Sequence, residues 1–190
     1  MYPQLQDLKS YLSINSTDDD FLLSLNLTQA VKAIENHTQR QFTCTQDTTK
    51  TFYSDDRFIV NNKKFLFNDD ICSLTSLVIN GNTIPSNKYR ITGDIPFTAI
   101  VLFPSSPYFF ENYSTTIDPS SFSITGRWAY SIECPRDLFG VILRLSAWLY
   151  HQKDNASDFD RPVSLSNTMA LPVGIPTDVA EACYSYSRYV

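Results

Sequence analysis

The stretch YLSINSTDDDFLLSLNLTQAVKAIENHTQRQF, residues 11–42, decides the fold because it predicts a long helix with a clearly marked beginning. Ser16 and Thr17 are residue types that cap helix N-termini, and Asp19 and Asp20 follow at the spacing of a capping box. The three acids at 18–20 also lie where the helix dipole favours negative charge. The sequence therefore predicts that these acids serve as helix-capping residues.

An apolar stripe runs along the same predicted helix. Its members recur at helical spacing: Leu23, Leu27, Ala30 and Ile34. Leu22 and Leu25 are predicted to widen this stripe, and the helix is expected to end near residues 38–40, where a basic residue suits the last turn. The stripe predicts one buried side. The opposite side carries the polar residues Gln29, Lys32 and Glu35.

The composition describes an acidic, aromatic-rich globular chain. It has 190 residues, 13 Phe, 11 Tyr, only 5 Gly and a net charge of −5. Such a length suits one domain, or one domain with a subdomain. Many aromatic residues together with Ser, Thr and Asn favour a β-rich region. The negative charge argues against a general affinity for nucleic-acid backbone, which requires clustered Lys and Arg.

The order of the predicted elements indicates an α+β fold. Two helices occupy residues 1–42, short strands joined by turns follow over 43–133, and helices return over 134–190. Pro135 opens the first of these returning helices, and Pro176 and Thr177 open the last. The prediction is a small helical bundle, formed by the two ends of the chain, with an inserted β-rich subdomain.

Two long segments of this chain match neither the helical nor the strand period. The first, an aromatic arm at 103–121, contains Tyr108, Phe109 and Phe110. These side chains either pack back on the sheet or contact a neighbouring molecule. The second is a loop at 154–174. Long irregular segments in compact domains are commonly functional.

The sequence offers no recognisable catalytic, metal or cofactor site. The four cysteines are widely spaced and form no Cys-x-x-Cys pair, which predicts free thiols rather than a zinc site. Phosphate-binding glycine motifs and nucleophile elbows are missing from the sequence. Acid–base chemistry by a carboxylate such as Asp69 or Asp70 stays open as an alternative. No secretion signal or membrane span is predicted, so the chain is expected to be made in a cytoplasm.

Four motifs, in order along the chain, resemble one protein family. The first is the segment that contains YLSI at 11–14 and STDDDF at 16–21, and the second is TQRQF at 38–42. The third is LFNDDICSLTSLVI at 66–79, and the fourth is ITGRWAY at 124–130. This order is similar to that of the head–tail connector (adaptor) proteins of tailed bacteriophages. The family pattern has Gly where this chain has Gln39 and Ala129.

The resemblance implies a structural function. Family members are small helical bundles with an inserted β subdomain. Twelve copies form a ring that joins the portal vertex of the capsid to the tail and continues the DNA channel. The resemblance therefore implies that the partners are the portal protein, tail or neck proteins and further copies of the chain. It also implies a location in the virion neck and no enzymatic activity. The competing hypotheses are a small carboxylate-dependent hydrolase and a monomeric ligand-binding module.

The aromatic and apolar residues outside the predicted core are the candidates for partner contacts. The arm residues Tyr108, Phe109 and Phe110 are predicted to contact another subunit or the tail side. The polar side of the long helix, with Gln29, Lys32 and Glu35, is predicted to face a neighbouring subunit or the DNA channel. An irregular apolar segment next to a Tyr-rich terminus is predicted to reach the portal protein, through Leu165, Met169, Leu171, Tyr184, Tyr186 and Tyr189.

Overall fold

A computed structural model of the chain describes residues 1–53, 58–110, 121–152 and 175–188. Within this part the protein has four α-helices and two antiparallel sheets, so the predicted α+β class is confirmed. The helices are α1 (Leu5–Leu12), α2 (Asp20–Thr38), α3 (Arg136–Gln152) and α4 (Thr177–Cys183). A single 3₁₀ turn, Tyr184–Tyr186, follows α4.

Eight strands form the two sheets of the described part. In chain order, β1 to β8 are Thr48–Tyr53, Ile59–Val60, Lys64–Leu66, Ser73–Ile79, Asn82–Thr83, Tyr89–Thr92, Ala99–Leu102 and Ser121–Arg127. The first sheet has the order β1-β8-β4-β5 and the second has the order β2-β3-β7-β6. Because the strands in each sheet are antiparallel, short turns connect several of them directly.

The chain divides into two compact units. The β unit contains residues 41–133 together with Met1, and the helical unit contains residues 2–40 and 134–190. In the helical unit, α2 packs against α1, α3 and α4. Leu23, Ala30 and Ile34 are fully buried there, as the apolar stripe predicted, and Leu138 and Ile142 of α3 are buried in the same unit.

The β unit has an aromatic core to which both sheets contribute. Phe65 of β3 and Phe122 of β8 are almost fully buried, and their ring centroids are 4.9 Å apart. Phe52 of β1 also stacks on Phe122, at 5.4 Å. Aromatic pairs at such distances add stability beyond the burial of their area. The rich Phe content of the sequence is therefore used for folding in this unit.

Two positions in the motifs at 38–42 and 124–130 have clear backbone roles. Gly126 lies where β8 meets β4, and an added Cβ would lie 2.2 Å from the Ser73 carbonyl oxygen. Gln39 ends α2 with φ at +55°, in the left-handed region. Since Gly adopts that region without a steric cost, Gln39 retains the backbone turn at some cost in stability.

The beginning of α2 differs from the sequence prediction. The helix begins at Asp20, with Asp19 in the N-cap position, and no side chain caps it there. Asp20 instead forms an ion pair with the buried Lys9 of α1, at 2.6 Å, and the Tyr150 hydroxyl of α3 donates to Asp19. The capping role predicted for these acids and for Ser16 or Thr17 is thus wrong. Partners on neighbouring helices compete for the same carboxylates, and the local pattern does not show those partners.

Candidate assembly surfaces

The base of the aromatic arm is fixed to the turn between β2 and β3. The Lys63 ammonium donates to the carbonyl oxygens of Ser106 and Tyr108, at 2.6 and 2.8 Å. It also lies 3.8 Å from the centroid of the Phe109 ring. Desolvation by burial lowers the pKa of Lys63 from its ordinary value. The Lys63 ammonium therefore orders the arm at Ser106, Tyr108 and Phe109. Residues 111–120, which follow, lie outside the described residues.

The three aromatic residues predicted for partner contacts have different environments. Phe110 is 1% exposed and belongs to the core of the β unit, 4.9 Å from Phe122. Tyr108 is half-buried and packs against the same core. Phe109 is 43% exposed. Of these three residues, Phe109 alone offers a substantial apolar surface to a second molecule.

The candidates near the C-terminus are only partly described. Tyr184 is 65% exposed, whereas Tyr186 is half-buried and its hydroxyl donates to Asp137 of α3 at 2.7 Å. Four further candidates lie outside the described residues: Leu165, Met169, Leu171 and Tyr189. Tyr184 is accordingly the best-defined residue of this group for a partner contact.

On the polar side of α2, Lys32 and Glu35 have hydrogen-bond partners within the helical unit. Gln29 and Lys32 are exposed. However, Lys32 donates to Glu35 at 2.6 Å, and Glu35 also accepts a hydrogen bond from the Tyr2 hydroxyl at 2.5 Å. Glu35 is thus held within the helical unit. Lys32 and Gln29 are both exposed, so a neighbouring subunit could contact either side chain.

Two apolar residues at the start of α2 face outward, and the sequence prediction missed both. Phe21 is 83% exposed and Leu25 is 42% exposed. The prediction that Leu25 widens the buried stripe is wrong. Leu25 follows Leu23 by two positions, which is about 200° around a helix, and Phe21 precedes Leu23 by the same angle. A helical projection centred on Leu23 would have found this outward pair.

The described residues give little support for catalysis. Among them, no group of three His, Cys, Asp or Glu side chains is placed to hold a metal ion. Asp69, a carboxylate of the hydrolase hypothesis, pairs with Lys50 at 2.6 Å. Burial raises the pKa of the Cys134 thiol to about 11 and also raises the pKa of Cys183. Thiols with raised pKa are poor nucleophiles at neutral pH.

The four cysteines are free in the structure, with Cys44 half-buried and Cys72, Cys134 and Cys183 buried. Their positions fit small apolar packing residues. None of the helices in the described part is both long enough and apolar enough to cross a membrane.

Comparison with known proteins finds one family model that matches the N-terminal part of the chain. Residues 2–79 match a family model described as phage gp6-like head–tail connector protein. This part of the chain is thus similar to the phage head–tail connectors. The matched segment contains both α1 and α2, together with the strands as far as β4. A search of curated proteins found no match.

Two solved structures have a fold similar to that of this chain. A chain from the neck of an empty GTA particle, computed with C6 symmetry, aligns with a TM-score of 0.63 and 14% sequence identity. A chain from the virion of a native gene transfer agent (GTA) particle aligns with a TM-score of 0.59 and 13% identity. Each alignment covers 99% of this chain and 90% of the other. At such identity the likeness shows the fold alone.

Proposed function

We propose that this protein is the subunit of a closed ring that joins the portal vertex of a phage capsid to the tail. The family match over residues 2–79 carries the proposal. The exposed Phe21 and Leu25 lie within the matched segment and support it, because an apolar pair facing water on an otherwise amphipathic helix is typical of a surface that another molecule covers.

The proposed ring uses two different faces of each subunit. A closed cyclic assembly is built from heterologous contacts, so one face of a copy must complement another face of the next copy. Twelve copies follow from the resemblance to connector proteins. The sixfold symmetry stated for the similar neck structure is compatible with that number.

The same ring would continue the DNA channel without gripping the DNA. The net charge of −5 disfavours tight contact with phosphates, since affinity for a nucleic-acid backbone comes from neutralising it with cations. We infer that genomic DNA passes through the lumen without sequence-specific binding. In this proposal the protein is located in the virion neck, is made in the cytoplasm of the host, and catalyses no reaction.

Different candidate residues are proposed for the portal contact and for the contact with a neighbouring subunit or the tail side. The exposed Tyr184, with the predicted Leu165, Met169, Leu171, Tyr186 and Tyr189, is proposed to contact the portal protein. Phe109, whose ring is held by Lys63, is proposed to contact a neighbouring subunit or the tail side. Tyr184→Ser should weaken co-purification with the portal protein, while Ser185→Ala, a change at the adjacent exposed residue, should leave it unchanged.

Point substitutions test the portal contact more cleanly than a truncation does. Val179 and Cys183 of α4 are buried, and the Arg188 amide donates to the Thr38 carbonyl at the end of α2. Removing the last helix would therefore uncover apolar surface of the helical unit. Loss of binding after such a truncation would report misfolding as readily as a lost contact.

Imaging of the purified full chain, alone and with the portal protein of the same phage, tests the ring directly. The proposal predicts closed rings with cyclic symmetry, and native mass spectrometry should give a mass of twelve copies. A protein that stays monomeric in both samples, at concentrations where neck proteins assemble, would contradict the proposal. Stoichiometric binding of a small ligand by that monomer would favour the binding-module hypothesis.

A further inference from the structure

One cross-strand row on the second sheet contains two cations and two valines. The strand register places four residues opposite one another across β2, β3, β7 and β6: Val60, Lys64, Val101 and Arg90. We call these four residues the cationic row. Adjacent strands lie about 4.8 Å apart, so the two charges are separated by about 10 Å, with Val101 between them.

The cationic row lies on the side of the sheet that faces away from the core. Successive side chains of a strand point to opposite faces, and Phe65 and Ile100, the neighbours of Lys64 and Val101 along their strands, are fully buried in the core. Arg90 and Val60 are exposed, and Lys64 and Val101 are half-buried. The row is therefore accessible to a second molecule.

Neither cation of the row is neutralised by an acid in the described part of the chain. Lys64 and Arg90 form no ion pair there, in contrast with Lys50, which pairs with Asp69. The next row on the same face contains Leu66, Ala99 and Thr92 and likewise has no acid. Two unpaired cations beside two valines form a surface that suits an acidic and apolar partner.

The start of α2 has the complementary chemistry. Asp19 and Asp20 are engaged with Tyr150 and Lys9, but Asp18 is exposed and forms no ion pair in the described part of the chain. Phe21 follows three residues later and Leu25 follows Phe21 by one helical turn. We call Asp18, Phe21 and Leu25 the α2 start. It combines one free carboxylate with two outward apolar side chains.

We propose that the cationic row of one copy receives the α2 start of a second copy. The inference rests on the proposed function, because such a contact joins two different faces and is therefore the heterologous kind that a ring requires. Burial of Phe21 against the valines would supply most of the affinity. The carboxylate facing the two cations would fix the orientation and disfavour wrong partners.

A nucleic-acid partner fits the same row less well. Phosphate binding needs several convergent cations, whereas this row has two, and its valines offer nothing to a phosphate. The net charge of −5 opposes DNA further. A second copy of the chain satisfies both the charged and the apolar members of the row.

Charge reversal and charge exchange test the contact in the full-length chain with its portal protein. Asp18→Lys alone and the double variant Lys64→Glu with Arg90→Glu should each raise the concentration needed for half-assembly by about tenfold, which corresponds to the loss of about 1.4 kcal/mol. Combining all three substitutions in one chain should restore most of the assembly. Arg136→Glu, an exposed cation on α3, is the matched control and should have no effect.

Zero-length coupling of carboxylates to amines gives a second readout. A mixture of ¹⁴N- and ¹⁵N-labelled chains should yield a mixed-isotope peptide in which Asp18 is joined to Lys64. Thermal unfolding of each variant should match the parent chain, because none of the three side chains forms an ion pair within the described part of the subunit.

The outcomes separate this contact from the proposed function. Rings that assemble equally well in every variant, without the mixed peptide, would overturn the contact and leave the ring standing. Salt-dependent DNA binding that is lost only in the Lys64→Glu, Arg90→Glu variant, with assembly unchanged, would assign the row to phosphates instead. If the parent chain forms no ring with its portal protein, the proposed function and this contact fall together.

Discussion

Phe110, at the base of the arm, is 1% exposed, whereas Phe21, in the first turn of α2, is 83% exposed. The first residue lies in a segment without regular structure and is surrounded by the aromatic rings of the β unit. The second lies in the longest helix of the described part of the chain and contacts solvent. The regularity of a segment therefore does not tell which of its apolar residues belong to the core.

The difference separates two uses of aromatic residues. Phe110 stabilises the β unit and orders the first part of the arm, together with Lys63. Phe21 contributes little to the fold of an isolated subunit, since most of its side chain remains in water. An apolar side chain in this position is stabilised in water only when a partner covers it, which favours an assembly surface here.

Replacement of the buried phenylalanine should have the largest effect on stability. Phe110→Ala removes a ring from the aromatic core and should lower the free energy of unfolding by about 3–5 kcal/mol. Chemical denaturation of the full chain measures it. Phe109→Ala is the matched control and should cost less than about 1 kcal/mol, because that ring is partly exposed. Equal losses of stability in the two variants would contradict the assignment of Phe110, but not Phe109, to the core of the β unit.

The acids that precede Phe21 should also differ from one another. Asp20→Asn leaves the buried Lys9 ammonium without its charged partner and should destabilise the protein by about 2 kcal/mol. Asp18→Asn removes an exposed carboxylate and should change stability by less than about 0.5 kcal/mol. Thermal unfolding of both variants in the same buffer provides the comparison. If the two substitutions cost the same, the pairing described for Asp20 does not stabilise the helical unit.

Substitution of the exposed phenylalanine should affect assembly rather than folding. Phe21→Ser should raise the concentration required for ring formation by about tenfold, equivalent to about 1.4 kcal/mol per contact. Its unfolding curve should match that of the parent chain. His37→Ala, at an exposed position about 160° around the same helix from Phe21, is the control. Normal assembly by the Phe21 variant would show that this side of α2 is not an interface.

A substitution at the C-terminal end of α2 should change the stability of the protein but not its assembly. Gln39→Gly places the residue that best tolerates a positive φ at the helix end and should stabilise the protein by about 1 kcal/mol. Gln29→Gly, in the exposed middle of the same helix, should instead destabilise by about 1 kcal/mol. Denaturation midpoints distinguish the two. Assembly should be unchanged by Gln39→Gly, which sharpens the contrast with Phe21.

Much of the backbone could be predicted from local patterns. The periodicity of Leu23, Leu27, Ala30 and Ile34 and the β-branched runs each reflect burial of one side of a helix or strand, and this burial leaves a signal in a short window. The α+β order follows from those elements. The match of the family motifs also depends on local sequence, and Gly126 and Gln39 show the backbone reasons behind two of them.

The roles of individual side chains could not be predicted as well. Asp19 and Asp20 have partners more than ten residues away in the sequence, so a capping pattern described them wrongly. Phe110 is buried by strands that lie before and after it in the chain, and the cationic row exists only through the register of four strands. Such tertiary arrangements leave no periodic signal in the sequence.

Hydroxyl-radical footprinting of the full chain, before and after assembly with its portal protein, measures the exposure of both phenylalanines. Phe110 should be protected in both samples, while Phe21 should be oxidised in the free subunit and protected in the ring. Phe21 oxidised to the same extent in the free and assembled protein would contradict the claim that the outward side of α2 is an assembly surface.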